Sequence, residues 1–214
     1  MKIALTAILS CIALIASLSA NASILTLDGG SQTKIGDLPS LFNPSNHPGD
    51  INAGTDISIF NKAGEGIRLS GAANLMYTYI GKEAGSQNLF QPNPIVGFFH
   101  TNWTPAGSII NTSASSGGFL DFSFLGLGTC CGLKPGVFTN GEGNFGDNGR
   151  LGLAVALINP STAYLMFGDG FGDSDFDDMV VKVEVSAVPL PAAFWLFGTA
   201  LIGFVGMSRS TKVS

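Results

Sequence analysis

The sequence predicts an all-β fold, a single β-sandwich with jelly-roll or Greek-key-like connections, placed between two apolar terminal segments. Composition supports this, because the chain has 29 glycines in 214 residues and only 12% charged residues, where about 25% is usual. Several runs alternate apolar and polar side chains with period two. Clusters of Gly, Asn, Pro and Asp separate these runs, and no helical stripe of about 11 residues is visible between the termini.

The first 22 residues have the pattern of a secretory signal peptide. Lys2 precedes an apolar core, and the small-x-small sequence "ANA" ends at Ala22. Cys11 lies in the middle of the apolar core and not after it, which argues against a lipoprotein. An uncleaved N-terminal anchor is the alternative, but polar residues interrupt the core. We therefore expect export, with Ser23 as the first residue of the mature protein.

Residues 23–187 provide about one domain's worth of chain, enough for a single sizeable core. This ectodomain has seven basic and fifteen acidic side chains, a formal net charge of −8. Nucleic acid is therefore not expected as a partner, because phosphate binding needs a basic surface.

Four alternating runs predict strands. The clearest is "GIRLSGAANLMYTYIG", which places seven residues on one face: Ile67, Leu69, Gly71, Ala73, Leu75, Tyr77 and Tyr79. The others are "GGFLDFSFLG", "RLGLAVALIN" and "DMVVKVEVS", and the last predicts a half-buried strand. The short runs "SILTL", "DISIF" and "YLMF" predict further strands. The segment from Asp28 to Asp50 is expected to form a long loop or mobile arm.

An acidic turn, "FGDGFGDSDFDDMVV", precedes the last predicted strand. Its carboxylates are Asp169, Asp173, Asp175, Asp177 and Asp178. Hard cations prefer oxygen ligands, so these aspartates are candidate ligands for one Ca²⁺ ion. An EF-hand does not fit, because its twelfth position would fall inside the predicted strand. The alternative is that the aspartates cap turns and accept hydrogen bonds from nearby amides.

Two adjacent cysteines, Cys130 and Cys131, remain after removal of the signal peptide. Outside the cytoplasm we expect them to oxidise, and a vicinal disulfide is favoured over pairing with another chain or buried thiols. Together with His47 and His100 they do not show the ligand spacing of a zinc site.

No motif predicts catalysis. His100 in "GFFHTNW" lies among aromatic residues, which is more typical of a packed or surface histidine than of a base, and no nucleophile motif accompanies it. The acidic residues cluster in one loop and do not face each other across a cleft, as a glycosidase would need. We therefore expect a protein that is not an enzyme. A hydrolase would need convergent polar residues in a deep pocket.

The C-terminal segment combines a proline motif, an apolar run and a basic tail. The motif is Val188-Pro189-Leu190-Pro191. The run Leu190–Met207 has 18 uncharged residues, near the roughly 20 that a membrane-spanning helix needs. Prolines suit the start of a helix. Arg209 and Lys212 follow the run, so we expect a transmembrane helix over 190–207 with a cytoplasmic C-terminus.

The stretch "VPLPAAFWLFGTALIGFVGMSR" resembles the C-terminal sorting signal of PEP-CTERM proteins of Gram-negative bacteria, which places the signal at residues 188–214. The resemblance implies export through the inner membrane, membrane anchoring, and then processing by an exosortase, a membrane cysteine protease. It also implies a final place at the cell surface or in an extracellular matrix, since the family is linked to extracellular polysaccharide and biofilm. Leu190 stands where the best-known form has glutamate, and Arg209 and Lys212 stand in place of the usual arginine cluster.

A weaker resemblance joins "GDSDFDDMVVKVEV" to an uncharacterised domain of the same export class, which supplies no established activity. From the residues and these resemblances we expect an exosortase-sorted structural protein of the cell envelope or biofilm matrix. The alternative is a calcium-dependent carbohydrate-binding module. Exposed rings of Trp103 and Tyr79 would favour the module, whereas their burial would favour a structural role.

Overall fold

A computed structural model describes residues 24–35, 51, 54–82, 87–128, 135–145, 151–169 and 176–188. The described residues up to Ser186 belong to one compact unit, Ala22–Ser186, and only Ala187 and Val188 fall outside it. The described residues form strands, turns and no helix, so the prediction of an all-β fold is confirmed. Within these ranges, no helix has the length and hydropathy to cross a membrane. The predicted signal peptide and the predicted helix over 190–207 lie outside the described residues.

The described residues form fifteen strands in three sheets. In chain order the strands are β1 (Leu25–Asp28), β2 (Ser31–Lys34), β3 (Asp56–Phe60), β4 (Gly66–Leu69), β5 (Ala73–Gly81), β6 (Asn88–Pro92), β7 (Phe99–His100), β8 (Ile109–Ala114), β9 (Gly118–Phe119), β10 (Phe122–Gly126), β11 (Gly136–Thr139), β12 (Gly143–Phe145), β13 (Gly152–Asn159), β14 (Thr162–Gly168) and β15 (Met179–Ala187). The sheet orders are β1-β4-β9, β12-β11-β10-β6-β7 and β2-β3-β13-β14-β15-β5-β8.

Aromatic side chains of the five-stranded and seven-stranded sheets meet in one core. Tyr77 on β5 contacts Phe90 on β6, with ring centroids 5.0 Å apart. Phe124 on β10 stacks on Phe167 on β14 at 4.8 Å and 4°. All four side chains are buried. Burial of each ring contributes on the order of 1.5–3 kcal/mol, so these contacts hold the two sheets together.

The alternation predicted across residues 66–81 is confirmed, but two strands of different sheets share it. Ile67 and Leu69 lie on β4 in the three-stranded sheet, whereas Tyr77 and Tyr79 lie on β5 in the seven-stranded sheet. All four side chains contribute to the same core. The chain therefore keeps its buried face while it passes from one sheet to another.

Strand β15 follows the predicted alternation only in its second half. Lys182 and Glu184 are partly exposed and form an ion pair with a distance of 2.8 Å between Nζ and Oε2. The alternation in "DMVVKVEVS" places Val180 on the same face as Lys182 and Glu184, but Val180 is fully buried. It packs in a second apolar cluster with Tyr164 and Met166. The prediction of a half-buried strand is therefore wrong at Val180, because this second cluster covers the outer face there.

The long loop predicted from Asp28 to Asp50 is interrupted by a strand. Strand β2 pairs antiparallel with β3 in a register that sets Ser31 opposite Ile59 and Lys34 opposite Asp56. The sequence pattern does not reveal this edge strand, because its side chains are polar and largely exposed and so show no alternation of apolar and polar residues. Residues 36–50 lie outside the described residues.

Candidate binding surface around Trp103

Exposed apolar side chains concentrate in the segments that flank β7. Of the eight large apolar residues that are exposed in the described part of the chain, five lie within residues 95–109: Ile95, Val96, Phe98, Trp103 and Ile109. We call these five the apolar surface. No Asp, Glu, Lys or Arg occurs between Glu83 and Asp121. Exposed apolar residues so close in sequence make this part of the chain a candidate interaction site.

Trp103 is the most exposed of the five, and its ring is held by a stacking contact. Its indole lies parallel to the imidazole of His100, with ring centroids 3.9 Å apart and an angle of 8° between the planes. His100 is 2% exposed, whereas Trp103 is 73% exposed. One indole face therefore packs on the protein and the opposite face meets solvent. We call this stacked pair the Trp103 platform.

A tight turn after β7 fixes the Trp103 platform. The backbone N–H groups of Trp103 and Thr104 donate to the carbonyl oxygen of His100 at 3.2 and 3.0 Å. In return, the Thr104 hydroxyl accepts from the His100 N–H at 2.8 Å. Side-chain oxygens of this kind often close turns. The indole is thus positioned by backbone hydrogen bonds as well as by stacking.

Polar groups border the Trp103 platform on one side. The Lys82 ammonium donates to the side-chain oxygen of Asn102 at 2.6 Å. The Asn102 backbone N–H donates to Nδ1 of His100 at 3.1 Å. Burial, and then the nearby charge of Lys82, lower the pKa of His100 below its usual value. A neutral imidazole fits this geometry because Nδ1 acts as an acceptor.

The arrangement combines an exposed apolar ring face with hydrogen-bonding groups on the residues around His100. A flat indole face offers apolar contact to a flat ligand surface, and amide and ammonium groups can pair with ligand hydroxyls. This combination suits a neutral, ring-shaped polar ligand such as a sugar. Acid–base chemistry is not favoured at this histidine, since its Nε2 is buried and has no hydrogen-bond partner among the described residues.

We expect acid to destabilise the fold through His100. Because burial keeps folded His100 neutral, the unfolded chain binds the proton first as the pH falls below the ordinary value of 6.5. This histidine should therefore leave the free energy of unfolding unchanged above pH 6.5 and lower it below that pH. Urea unfolding at about pH 7.5 and about pH 5 measures the difference.

Two variants identify the histidine responsible for this acid effect. His100→Phe keeps a ring against Trp103 and should reduce the loss of stability on acidification. His47→Gln changes the only other histidine and should leave that loss as in the parent. An equal loss in the parent and in His100→Phe would assign the effect to carboxylates.

The described part of the acidic turn contains three buried aspartates: Asp169, Asp177 and Asp178. The backbone N–H of Asp169 donates to the Asp178 carboxylate at 2.6 Å, and the Asn88 amide donates to the Asp169 carboxylate at 3.3 Å. These hydrogen bonds are of the kind that the capping alternative predicts. In the described ranges, no three His, Cys, Asp or Glu side chains are grouped to hold a metal ion. Asp173 and Asp175 lie outside these ranges, so calcium binding stays a prediction.

The remaining candidate residues have different outcomes. Tyr79 is buried beside Phe99, with ring centroids 5.7 Å apart, and burial raises its pKa to about 12. It therefore does not belong to the exposed aromatic surface. Val188 is 40% exposed, whereas the rest of the sorting motif lies outside the described residues. Cys130 and Cys131 also lie outside them, so their pairing stays a prediction.

The contact between His100 and Trp103 was not found from the sequence. The only local signal was their spacing of three residues in "HTNW", which brings two side chains together when a tight turn lies between them.

Comparison with protein-family models, with curated proteins and with solved structures gave no match. The function is therefore inferred from the geometry of the chain itself.

Proposed function

We propose that this protein is an exported structural component of the cell envelope or extracellular matrix, and that it attaches to extracellular polysaccharide through the Trp103 platform. The observation that supports this best is an indole that is 73% exposed and yet held against a buried imidazole. Exposing an apolar ring to water is unfavourable, and fixing it in place costs conformational entropy. A ligand that covers the open ring face removes the unfavourable contact of the indole with water. The loss of conformational entropy has already occurred on folding, so it does not weaken binding.

The platform stands on what we propose to be a β-sandwich. Support comes from the ring contacts between the five-stranded and seven-stranded sheets, of which the stacking of Phe124 on Phe167 is the closest. In the seven-stranded sheet β5 lies between β15 and β8, an order that is typical of Greek-key and jelly-roll connections. A rigid two-sheet scaffold would hold a binding loop in one position.

Export and sorting belong to the same proposal. The pattern of residues 1–22 supports secretion through the inner membrane of a Gram-negative bacterium. The motif at 188–191, the apolar run 190–207 and the basic tail support membrane anchoring followed by exosortase processing. The finished protein would then lie at the cell surface or in the matrix. We propose no catalytic step for it.

Calcium dependence is the second candidate feature, because five aspartates crowd residues 169–178. In a calcium-dependent carbohydrate-binding module the ion would either order the acidic turn or bind sugar hydroxyls directly. The hydrogen bond from the Asp169 N–H to the Asp178 carboxylate belongs to the capping alternative, so the support for calcium comes from the sequence of the acidic turn.

Trp103→Ala tests the platform. The variant should lose at least about tenfold in affinity for the polysaccharide that the parent binds, because removing one buried aromatic contact costs on the order of 1.4 kcal/mol or more. A glycan array with and without calcium identifies the ligand, and calorimetry measures the affinity. Trp103→Phe should keep part of the binding.

Ile158→Ala is the matched control for Trp103→Ala. Ile158 is another exposed apolar residue, 37% exposed and outside residues 95–109. Its replacement should leave polysaccharide affinity unchanged. Equal affinity of the parent and Trp103→Ala would contradict the proposed attachment site. Binding that disappears in EDTA but returns with calcium would favour the calcium-dependent module.

A further inference from the structure

Among the described strands, β8 forms one edge of the seven-stranded sheet, and its own residues lack the features that usually protect an edge. It is six residues long, "IINTSA", with no proline and no charged residue. Its pairing with β5 is regular from Ala73 opposite Ala114 to Thr78 opposite Ile109. Native proteins usually shield such an edge with charges, prolines, bulges or very short strands.

The other described edge strands have this protection. Strand β2 ends at Lys34, whose ammonium lies 3.5 Å from the Asp56 carboxylate. Strand β1 ends at Asp28, which pairs with Arg68 at 3.1 Å. Strands β7, β9 and β12 have only two or three residues. Among the described edges, β8 is therefore the one that is both longer than four residues and free of charge.

Hydrogen bonding at the start of β8 identifies the groups that point away from the sheet. The Tyr79 N–H donates to the Ser108 carbonyl at 2.9 Å, so Ser108 faces β5. Antiparallel pairs alternate along a strand, so the backbone groups of Ile109, Asn111 and Ser113 point outward. Their side chains are also exposed. These three outward positions are symmetric about Asn111.

We propose that β8 pairs antiparallel with β8 of a second copy of this chain, about a two-fold axis at Asn111. Ile109 of each copy then lies opposite Ser113 of the other, and the two strands exchange about six backbone hydrogen bonds. The two seven-stranded sheets become continuous across the dimer.

Charge favours a second copy at this edge over other surfaces. The ectodomain carries a formal net charge of −8, so two copies repel each other through most of their surfaces. No charged residue lies between Glu83 and Asp121, and β8 falls inside that stretch. Two copies that approach along β8 therefore bring no like charges of their own strands into contact.

Part of the apolar surface adjoins β8 and supplies additional area. The side chain of Ile110 lies against Gly97, in the segment that carries exposed Val96 and Phe98. A stable dimer usually buries at least about 1,200 Å² in total, more than one pair of edge strands provides. Side chains of this segment can supply the remainder.

Light scattering of the full chain in detergent micelles tests dimer formation. The parent should dimerise with rising concentration, with a Kd of micromolar order, and Asn111→Lys should weaken the dimer at least about tenfold because it places two ammonium groups at the axis. Gln32→Lys makes the same change on the β2 edge and should have no effect. A parent that stays monomeric at about 100 µM, or equal weakening by both variants, would overturn the proposal.

A charge exchange tests the register separately. One chain carries Ile109→Glu and Ser113→Glu, and a second carries Ile109→Lys and Ser113→Lys. Neither should dimerise alone where the parent does, but the mixture should, because each carboxylate then lies opposite an ammonium. All these positions are exposed or border solvent, so folding should be retained, as circular dichroism would verify. A mixture that remains monomeric while the parent dimerises would rule out this pairing.

Discussion

Asn140→Ala should destabilise the fold by at least about 2 kcal/mol. The Asn140 side chain is buried and makes three hydrogen bonds to backbone groups. Its amide donates to the carbonyls of Ile67 and Leu120 at 2.8 and 2.7 Å, and its oxygen accepts from the Ile67 N–H at 3.0 Å. Truncation leaves the Ile67 N–H and the Leu120 carbonyl buried without this partner, and each such group costs on the order of 1–3 kcal/mol. The Ile67 carbonyl keeps a second hydrogen bond, from the Leu120 N–H at 3.0 Å.

Asn159→Ala is the matched control for this effect. Asn159 is exposed, and its side-chain oxygen accepts from the Ser161 N–H at 2.9 Å within a turn. Its oxygen also accepts from the Ser161 hydroxyl at 2.8 Å. Its replacement should cost no more than about 1 kcal/mol, because water can take over both lost hydrogen bonds at this exposed turn. Urea unfolding followed by circular dichroism compares the two variants with the parent.

Asn140→Asp separates the donors from the acceptor. A carboxylate keeps the acceptor for the Ile67 N–H, but it faces two carbonyl oxygens without a hydrogen to donate. It should therefore be at least as destabilising as Asn140→Ala at neutral pH. Similar stabilities of Asn140→Ala and Asn159→Ala would show that the hydrogen bonds of Asn140 do not hold β4 and the segment at Leu120 in place.

The second large effect is expected at the sorting motif, where Pro189→Ala combined with Pro191→Ala should block processing. An exosortase would read the motif itself, so the double variant should remain uncut in the inner membrane and keep Arg209 and Lys212. A plain membrane anchor needs only the apolar run and its flanking charges. Loss of prolines at a helix start costs such an anchor little. Membrane insertion and processing should therefore separate in this variant.

An epitope tag within the ectodomain follows location, and intact mass reports whether the tail is present. The control is a variant with Ala192→Ser and Ala193→Ser, which changes two residues of the apolar run beside the motif and should be processed like the parent. Equal processing of the parent and the proline variant, or a parent that keeps its tail despite an active exosortase, would indicate an ordinary single-pass anchor.

Much of the strand content was predictable from local sequence. Alternation at Leu75, Tyr77 and Tyr79 identified β5, and Phe122 and Phe124 identified β10, because a side-chain period of two has one cause, burial of a single face. Strand β2 escaped detection because an exposed edge strand has no such period. The predicted exposure of Val180 was wrong for the opposite reason, because Val180 lies where both faces of the sheet are covered.

The candidate site was predictable only in its composition. The sequence marked Trp103 as a candidate exposed aromatic and His100 as a packed or surface histidine, but their stacking depends on the turn that places one ring over the other. The burial of Tyr79 likewise depends on Phe99, a residue of another sheet. The exposed fraction of a side chain depends on which distant parts of the chain cover it, and a local sequence pattern contains no information about those parts.

The sequence by itself determined that the chain between its two apolar terminal segments is built of strands, because glycine-rich turns and period-two burial are properties of neighbouring residues. Only the tertiary structure decided which strands pair, that β8 is an edge among the described strands, and how Asn140 meets Ile67 across 73 positions of the chain. Such contacts depend on the closure of long loops and on the packing of whole sheets. Their free energy comes from groups that are distant in sequence, so they become visible only when the chain is folded.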